Sequence, residues 1–319
     1  MRIAVDVMGS DHGPEELIAG ALRWCRETGE TVSLVGDGEI IAAQLKQQDY
    51  NQELVEVIPA LQVIDMHESP ALALRKKPDA SIVVASQLVR EGRADALISA
   101  GSTGAQMAAA IFILGRMEGV ERSPIIAQLP NVHGHFSLLA DVGANVDCRP
   151  KQLLQFAVLG KTYASLRLGI KEPRIALLNI GEEESKGNSV SIETYELLKK
   201  QSHLNFVGNI EGRDLLFGKS DVIVCDGFVG NIVLKTLEGT AMFVAGGVKA
   251  AYGSLPEFFN QLDYTKIGGA PLLGVNGISI VCHGSSKRDA VYAGMFSAQT
   301  CIQADMVKMQ RLELDKSRV

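Results

Sequence analysis

Short apolar runs rich in β-branched residues alternate with longer stretches of helical periodicity along the whole chain, and this alternation constrains the fold most. Continuously apolar strands joined by helices are typical of a largely parallel sheet with helices on both faces. The sequence therefore predicts an α/β fold. A chain of 319 residues buries a sizeable core. We expect one compact domain, residues 1–319, with two lobes as the alternative.

The predicted strands are short apolar runs, and the predicted helices are longer stretches with the 3.6-residue period. The strands are 3–7, 32–35, 55–58, 96–99, 125–128, 137–140, 175–178, 206–207, 222–225 and 278–281. The helices are 15–26, 39–47, 80–90, 103–114, 151–168, 190–200, 232–251 and 287–308.

Charge and cysteine content exclude several classes of protein. The formal net charge of −6 argues against a nucleic-acid partner, which needs a broad basic face. Five cysteines without a CxxC pair predict a reducing, cytoplasmic environment, with Cys225 and Cys282 buried in apolar runs. The N-terminus enters a strand directly, so we expect no signal peptide. No apolar stretch reaches the roughly 20 residues of a spanning helix, which predicts a chain that touches a membrane without crossing it.

Four predicted strands run into a polar, glycine-containing turn that precedes a helix. These turns are residues 6–14, 99–104, 179–188 and 226–231. Open α/β sheets bind ligands outside the carboxyl ends of their strands, and backbone N–H groups at such turns favour anions. The dinucleotide fingerprint GxGxxG, the phosphate loop GxxxxGK[ST], the GxSxG elbow and the HExxH motif are all missing. The turns therefore predict an anion site that is not built on any of these motifs.

The motifs in these turns resemble the bacterial phosphate acyltransferase family. The resemblance rests on VDVMGSDHGP (5–14), ISAGSTGAQM (98–107), LLADVGANVDC (138–148), LLNIGEEESKGN (177–188), VCDGFVGNIVLKTLEG (224–239) and VCHGSSKRDAV (281–291). The motifs cover essentially the whole chain in the family's order. Two positions depart from the family pattern: Ser10 replaces a second glycine and Ser102 replaces the usual asparagine.

The resemblance implies a fold and an activity. The fold is that of phosphotransacetylase and the isopropylmalate-dehydrogenase group. The activity is transfer of a long-chain fatty acyl group from acyl carrier protein to inorganic phosphate, for phospholipid synthesis. The resemblance also implies a cytoplasmic homodimer, peripheral membrane contact, no cofactor, no metal, and a downstream glycerol-3-phosphate acyltransferase that takes the product.

The family's motifs place the site residues in the glycine-containing turns. The predicted catalytic residues are Lys186, Asn231 and His12. The predicted substrate- and phosphate-binding residues are Gly9, Ser10, Asp11, Gly101, Ser102, Thr103, Gly104, Asn145, Asn179, Gly181, Glu182, Gly187, Asn188, Asp226, Gly227, Gly230 and His283.

Lys186 is the predicted phosphate clamp, because an ammonium on a flexible stem suits a phosphate and the next two residues add backbone donors. A solvated loop lysine is the alternative. Asn179, Asn188 and Asn231 offer uncharged donors to phosphate or to an oxyanion. Each also suits a turn or a helix N-cap, and for Asn231 the cap is an equal alternative.

Three acidic residues, Glu182 to Glu184, lie beside the predicted clamp and would repel a phosphate. We expect them to favour a helix start through its dipole, or one of them to orient Lys186. A Mg²⁺ site that also uses Asp6, Asp11 and Asp226 is a further alternative.

Other candidates for chemistry are two histidines and a cysteine. His12 and His283 follow strands and precede glycine, so either side chain is a candidate acid for the leaving thiol. Cys148 suits an acyl-enzyme in principle, but no base stands nearby in the sequence, and we expect a packed thiol.

Two segments suggest contacts with partners. Arg75-Lys76-Lys77 is the densest basic cluster and predicts either a docking site for the acidic carrier or a solvated turn ahead of Pro78. A helical hairpin near 232–266 is expected at the dimer interface or at a membrane-facing tip, where Leu255, Phe258 and Phe259 suit shallow insertion.

Three rival functions remain open from sequence. One is a short-chain phosphotransacylase that uses acyl-CoA. The second is an isopropylmalate-type dehydrogenase, and the third is a regulator that binds the carrier without catalysis.

Overall fold

The computed structural model describes residues 1–257, 259 and 268–317. The chain forms two compact units. Unit 1 comprises Met1–Met117 and Ile267–Val307, and unit 2 comprises Glu118–Lys266 and Lys308–Val319. Each unit has a largely parallel sheet with helices packed on it, so the predicted α/β fold class is confirmed.

Unit 1 is built on a six-stranded sheet in the order β10-β11-β4-β1-β2-β3, in which only β10 is antiparallel to its described neighbour. Its strands are β1 (Arg2–Asp6), β2 (Thr31–Gly36), β3 (Val55–Pro59), β4 (Ala96–Ser99), β10 (Ala270–Leu272) and β11 (Ile278–Val281). Its helices are α1 (Pro14–Thr28), α2 (Gly38–Leu45), α3 (Pro70–Lys76), α4 (Ser81–Arg90), α5 (Thr103–Ala109) and α9 (Arg288–Gln303). A π-helical segment, Ala110–Leu114, continues α5.

The core of unit 1 lies where α1 and α9 pack together beside the sheet. Trp24 is fully buried in α1, and its indole N–H donates a 3.0 Å hydrogen bond to Gln299 Oε1 of α9. The strands β1 and β4 are buried on both faces, which explains their unbroken apolar sequence.

Unit 2 is built on a five-stranded sheet in the order β5-β6-β9-β7-β8, in which β5 is antiparallel to β6. Its strands are β5 (Ile126–Pro130), β6 (Phe136–Ala140), β7 (Arg174–Asn179), β8 (Asn205–Glu211) and β9 (Val222–Val224). Its helices are α6 (Pro150–Leu168), α7 (Ser189–Lys199) and α8 (Gly227–Tyr252), with α10 (Met306–Ser317) belonging to it from Lys308 onwards.

Three predicted elements were wrong in extent. The helix predicted at 232–251 begins five residues earlier, at Gly227, so most of the predicted turn 226–231 is the first part of α8. The single helix 287–308 is two helices, because the chain turns between α9 and α10 at Asp305, whose φ is 49°. The predicted strand 206–207 is the seven-residue β8, whose pairing with β7 shifts by one residue opposite Ile175 and Ala176.

The alternative of a solvated turn at Arg75-Lys76-Lys77 was also wrong. Arg75 and Lys76 form the last turn of α3, a helix that begins at Pro70. Lys77 caps its end, and its ammonium is held by Glu68 Oε1 at 2.5 Å and by the carbonyl of Val63 at 2.8 Å.

Helix α8 is long and largely exposed. It has 26 residues, and its most apolar 18-residue window has a mean hydropathy of 1.3 with 6% of the window buried. By its length and composition, α8 could span a membrane, so the expectation that no stretch reaches spanning length was wrong. Helices of soluble proteins meet the same two criteria, so these do not by themselves place α8 in a bilayer. Residues 260–266 of the predicted hairpin, and Phe258, lie outside the described residues.

Candidate functional site

In unit 1, two of the predicted turns and the motif that begins at Val281 follow strands that are direct neighbours. Asp6, at the end of β1, pairs in register with Ser99 of β4, which pairs with Val281 of β11. Because the three strands are parallel, the turns after Asp6, Ser99 and Val281 emerge at one edge of the sheet. They contact one another: the N–H of Asp11 donates a 2.9 Å hydrogen bond to the carbonyl of Gly284.

Asp6 holds two of these turns together. Its Oδ2 accepts a 2.8 Å hydrogen bond from Ser99 Oγ, and its Oδ1 accepts one of 3.1 Å from the N–H of Met8. Burial raises the pKa of this carboxyl to about 6, against the hydrogen bonds from Ser81, Ser99 and Met8, which lower it. The carboxyl therefore organises the turns from below instead of facing solvent.

The two positions that depart from the family pattern both stabilise local structure. Ser10 Oγ donates a 3.0 Å hydrogen bond to the carbonyl of Gly13 and so closes the first turn. Ser102 is the N-cap of α5 and accepts a 3.3 Å hydrogen bond from the N–H of Ala105. Thr103 is the exposed first residue of α5, and Gly104 lies beneath Pro70.

The remaining predicted residues of unit 1 lie in the same turns. Gly9 approaches Gly101, since a Cβ on Gly9 would lie 3.5 Å from the Gly101 Cα. His12 is exposed beside Asp11. His283 is also exposed, and its Nδ1 accepts a 3.1 Å hydrogen bond from the N–H of Ser285.

In unit 2, a buried carboxylate that sequence analysis did not select organises the turn after β6. Asp141 Oδ1 accepts hydrogen bonds from the N–H groups of Ile125 and Ala144 at 3.0 and 3.1 Å. Its Oδ2 accepts from the N–H and the Nδ2 of Asn145 at 2.7 and 2.8 Å. Burial is the main influence on its pKa, which is raised. The available signal was an aspartate directly after an apolar strand and before Gly143.

The same amide of Asn145 also donates to the carbonyl of Ser123 at 2.9 Å, so this predicted binding residue joins three segments of the turn region. Its carbonyl accepts a 2.7 Å hydrogen bond from the N–H of Gly227. The turn after β6 is therefore in direct contact with the first residue of α8.

Helix α8 begins one residue after Asp226, its N-cap, which accepts a 2.8 Å hydrogen bond from the N–H of Val229. The N-cap alternative for Asn231 was therefore wrong. Asn231 is exposed in the first turns of α8, with its carboxamide carbon 3.6 Å from where a Cβ of Gly143 would lie. A Cβ on Gly230 would lie 1.8 Å from the carbonyl oxygen of Asp141, so only glycine fits there.

Lys186 is held on a closed turn at the end of β7. Asn179 closes the turn: its Nδ2 donates to the carbonyl of Lys186 at 3.0 Å, and its Oδ1 accepts from the N–H of Ile180 at 2.9 Å. Gly187 has a φ of +96°, and a Cβ there would lie 2.5 Å from Asn179 Oδ1. The Lys186 stem packs over Gly181, and the side chain is 47% exposed.

Asn188 is the N-cap of α7 and accepts a 2.9 Å hydrogen bond from the N–H of Ser191. The cap uses the carboxamide oxygen, whereas the carboxamide nitrogen is a donor that takes no part in the cap. The cap predicted as an alternative for Asn188 is therefore present, and its role in binding stays a prediction.

The expectation that Glu182 to Glu184 lie at a helix start was wrong, because α7 begins only at Ser189 and has no acidic residue in its first turn. Each glutamate instead faces a lysine. Glu182 lies 3.2 Å from Lys219, Glu184 lies 2.8 Å from Lys199, and Glu183 lies 3.8 Å from Lys186. The alternative in which one glutamate orients Lys186 agrees with the position of Glu183.

The thiol of Cys148 is a poor nucleophile in this surrounding. It is partly buried, and its Sγ donates to the carbonyl of Asn145 at 3.5 Å. Burial raises its pKa to about 12, with further contributions from Asp141 and Asp226. Among the described residues, no group of three or more His, Cys, Asp or Glu side chains is arranged to hold a metal ion.

The model of the fatty acid synthesis protein family matches residues 1–309. The chain belongs to this family. It is 62% identical over 317 residues to the phosphate acyltransferase of Syntrophomonas wolfei subspecies wolfei, which covers 99% of both chains. The predicted resemblance of this family member to phosphate acyltransferases is confirmed.

The fold of this family member is shared with two solved enzymes of low sequence identity. A phosphotransacetylase from Streptococcus pyogenes matches with a TM-score of 0.65 and 18% identity, covering 96% of this chain and 94% of its own. A 4-hydroxythreonine-4-phosphate dehydrogenase from Klebsiella pneumoniae matches with a TM-score of 0.54 and 12% identity, covering 98% and 99%. At such identities the matches show the fold alone.

Proposed function

We propose that the chain transfers a long-chain fatty acyl group from acyl carrier protein to inorganic phosphate, releasing acyl phosphate and the free carrier. The observation that carries this proposal is the 62% sequence identity, over nearly the full length of both chains, with a phosphate acyltransferase. The predicted class of activity, an acyltransferase that acts on phosphate, is confirmed by this relationship and by the family.

The reaction needs little acid or base catalysis. A phosphate oxygen attacks the thioester carbon, a tetrahedral oxyanion forms, and the C–S bond then breaks to release the thiolate. Phosphate near neutral pH is already partly a dianion, since the second pKa of a phosphate lies at ~6–7. A thiol of pKa about 8.5 leaves readily. The enzyme therefore acts mainly by positioning, which in favourable cases lowers a barrier by roughly 7–11 kcal/mol.

Lys186 is the proposed phosphate clamp, supported by its partial exposure and by the closed turn that presents it. Asn231 is the proposed uncharged donor to phosphate or to the oxyanion, supported by its exposure beside Gly143. Asn179, Asn145 and Asp226 use their side chains within the turns, so we assign them positioning roles. His12 remains the predicted proton donor to the leaving thiol.

We propose a homodimer that associates with the cytoplasmic face of the membrane through α8 and the segment after it. Large apolar side chains along α8 are exposed, among them Phe243 at 82% and Met242 at 63%. Contiguous exposed apolar surface marks interaction sites in soluble proteins. The acyl phosphate product is lipophilic, so release near a bilayer suits its use by a glycerol-3-phosphate acyltransferase.

Acyl donors distinguish this proposal from its rivals. The enzyme is incubated with a long-chain acyl carrier protein or the matching acyl-CoA, with and without phosphate, and acyl phosphate is trapped with hydroxylamine. We expect phosphate-dependent hydroxamate chiefly from the carrier. Product from acyl-CoA alone would support a short-chain-type phosphotransacylase, and carrier binding without product would support a regulator. Quenching of NADH fluorescence would support the dehydrogenase.

The role of Lys186 is tested by Lys186→Ala, with Lys171→Ala as the matched control, because Lys171 is an exposed lysine of the same unit. We expect Lys186→Ala to abolish phosphate-dependent thiol release while the far-ultraviolet circular dichroism is unchanged. Near-normal turnover by Lys186→Ala would remove this lysine from the mechanism.

A further inference from the structure

A groove of about 290 Å³ opens on the surface of unit 1 between α3, α4 and the π-helical segment. We call it the α3–α4 groove. Its apolar lining includes Ala71 and Leu74 of α3, Val83 of α4, and Phe112 and Ile113 of the π-helical segment. Phe112 is 64% exposed. Leu72, which follows the lining residue Ala71 in the sequence, is 56% exposed. Apolar side chains this accessible are typical of a surface that a partner covers.

The groove is joined to one of the turns of the candidate site through a short helix. The π-helical segment continues α5, whose N-cap Ser102 belongs to the turn after β4. Helix α3 packs against α5, and Pro70 lies over Gly104, in the first turn of α5. Phe112 is nine positions beyond Thr103, which is roughly 14 Å along a helix. π-Helical segments also recur at functional sites.

The groove has a basic margin. Arg75 lines it, and Lys76 is exposed next to Arg75 in the last turn of α3. Lys77 is different, because Glu68 and the carbonyl of Val63 hold its ammonium. Among the described residues, neither Arg75 nor Lys76 has a carboxylate partner. In a chain of net charge −6, two adjacent free cations form a local positive area.

We infer that the α3–α4 groove is the docking surface for the acidic carrier protein, whose acidic side chains face Arg75 and Lys76 and whose apolar side chains enter between Leu74 and Phe112. This inference rests on the proposed function for the nature of the partner. An amphipathic helix in an apolar groove with complementary charge at its edge is a common recognition mode. From this groove the carrier's flexible thiol arm has only the length of α5 to cover to reach the turn at Ser102.

An acyl chain fits the groove less well than a protein does. A hydrocarbon chain gains most from an enclosed apolar site, whereas this groove is open, with Phe112 largely in solvent and Arg75 and Gln87 in its lining. A second copy of this chain also carries a net negative charge and is the other candidate occupant. We expect two copies to associate through the exposed apolar helix α8 of unit 2 instead, which leaves the groove to another partner.

The test compares Arg75→Glu and Phe112→Ser with the control Lys46→Glu, which makes the same charge change at the exposed residue that caps the end of α2. Binding of fluorescently labelled holo-carrier is measured by anisotropy at low salt. We expect the Kd to rise at least tenfold for Arg75→Glu and severalfold for Phe112→Ser, and to stay unchanged for Lys46→Glu. Salt should reduce the effect of Arg75→Glu more than that of Phe112→Ser.

Turnover provides the second measurement. We expect the apparent KM for the acyl carrier to rise while kcat at saturation stays the same, and turnover of a carrier-free acyl-pantetheine thioester to be unaffected. Equal losses with both thioesters would overturn the inference, because the groove would then serve the acyl chain or the fold. Unchanged carrier binding would overturn it as well. If the wild-type enzyme bound the carrier but made no acyl phosphate, the proposed function would fail, and the anisotropy comparison would still decide the docking surface.

Discussion

Ser99 Oγ donates a 2.8 Å hydrogen bond to Asp6 Oδ2 and accepts one of 3.1 Å from the N–H of Gly101. A single hydroxyl therefore links the carboxyl at the end of β1 to the turn that follows β4. Asp6 and Ser99 are buried, at 2% and 1% exposure, so the link between them is shielded from solvent. The shape of the turn depends on Asp6 although Asp6 does not reach the surface.

Replacing Asp6 with asparagine should change how stability depends on pH. Burial raises its pKa from 3.8 to about 6 in the folded chain, so the folded state binds this proton more tightly than the unfolded state. The resulting stabilisation is fully present below pH 3.8 and is lost as the pH rises through 6. Two pKa units correspond to roughly 3 kcal/mol. Relative to wild type, Asp6→Asn should therefore gain roughly that much between about pH 4 and pH 8.

The measurement is urea-induced unfolding of both proteins followed by the fluorescence of Trp24. This is the chain's single tryptophan, and it is buried in α1 of unit 1, the unit that contains Asp6. Comparing two proteins at each pH cancels the titration of all other groups. A difference in unfolding free energy that is constant across this range would show that Asp6 ionises at its ordinary pKa.

Gly230→Ala should destabilise unit 2, because the added Cβ would lie 1.8 Å from the carbonyl oxygen of Asp141, which belongs to the backbone and cannot rotate away. Forced overpacking typically costs about 1–3 kcal/mol, and this contact lies at the severe end. The shift of α8 should also reduce acyl phosphate formation, because Asn231 follows directly.

The matched control is Gly239→Ala, in the same helix, where no atom lies within 4 Å of an added Cβ. Alanine is the better helix former by about 1 kcal/mol, so this variant should be as stable as wild type or more so. Thermal unfolding followed by circular dichroism checks both variants. Equal melting temperatures for the two would mean that the turn after β6 adapts to the extra methyl group.

The sequence pattern was sufficient for most strands of the two sheets, because burial on both faces leaves a continuous apolar signal, but β10 was not predicted. Strands β4 and β11 begin and end where the pattern predicts. β8 was mostly missed, since Gly208 has a φ of +100° and the strand is only partly buried, which removes the apolar signal. Helix α3 was missed because seven residues are too few to show a helical period.

The side chains of the site were predicted less well than their turns. Sequence identified the turn that presents Lys186, but the carboxylates that hold the turns, Asp6 and Asp141, act through hydrogen bonds between distant segments. Such pairings depend on strand order, which a single sequence does not contain. The N-cap of α8 was misjudged because Asp226 and Asn231 both suit a cap, and only the backbone shows which residue fills it.

Glu183→Gln should lower the KM for phosphate if Lys186 is the clamp. Glu183 Oε1 lies 3.8 Å from the Lys186 ammonium, and both side chains are exposed, so the ion pair contributes little to stability. Removing the carboxylate frees the ammonium for phosphate and reduces local repulsion. We expect a decrease in KM of about threefold at low salt, which should vanish at high salt.

The control for this variant is Glu184→Gln, which removes the same charge one residue away. Glu184 faces Lys199 and the hydroxyl of Tyr195 instead of Lys186. Its replacement should change the KM for phosphate less than Glu183→Gln does. Phosphate kinetics at two salt concentrations distinguish the pair, and equal effects from both would indicate a general field effect with no role for the contact with Lys186.

Phe243→Glu should convert the proposed homodimer to monomer. Phe243 is the most exposed large apolar residue of α8 that the structure describes, and a buried glutamate at an interface has no partner among its apolar neighbours. Sedimentation velocity measures the change. The control is Phe112→Glu, which places the same charge at an exposed phenylalanine of unit 1, outside α8. A dimer that persists in Phe243→Glu, or that dissociates equally in Phe112→Glu, would show that this face of α8 is not the subunit interface. Flotation with anionic liposomes would then test whether the same face contacts lipid, because only a membrane-binding role predicts loss of flotation without loss of the dimer.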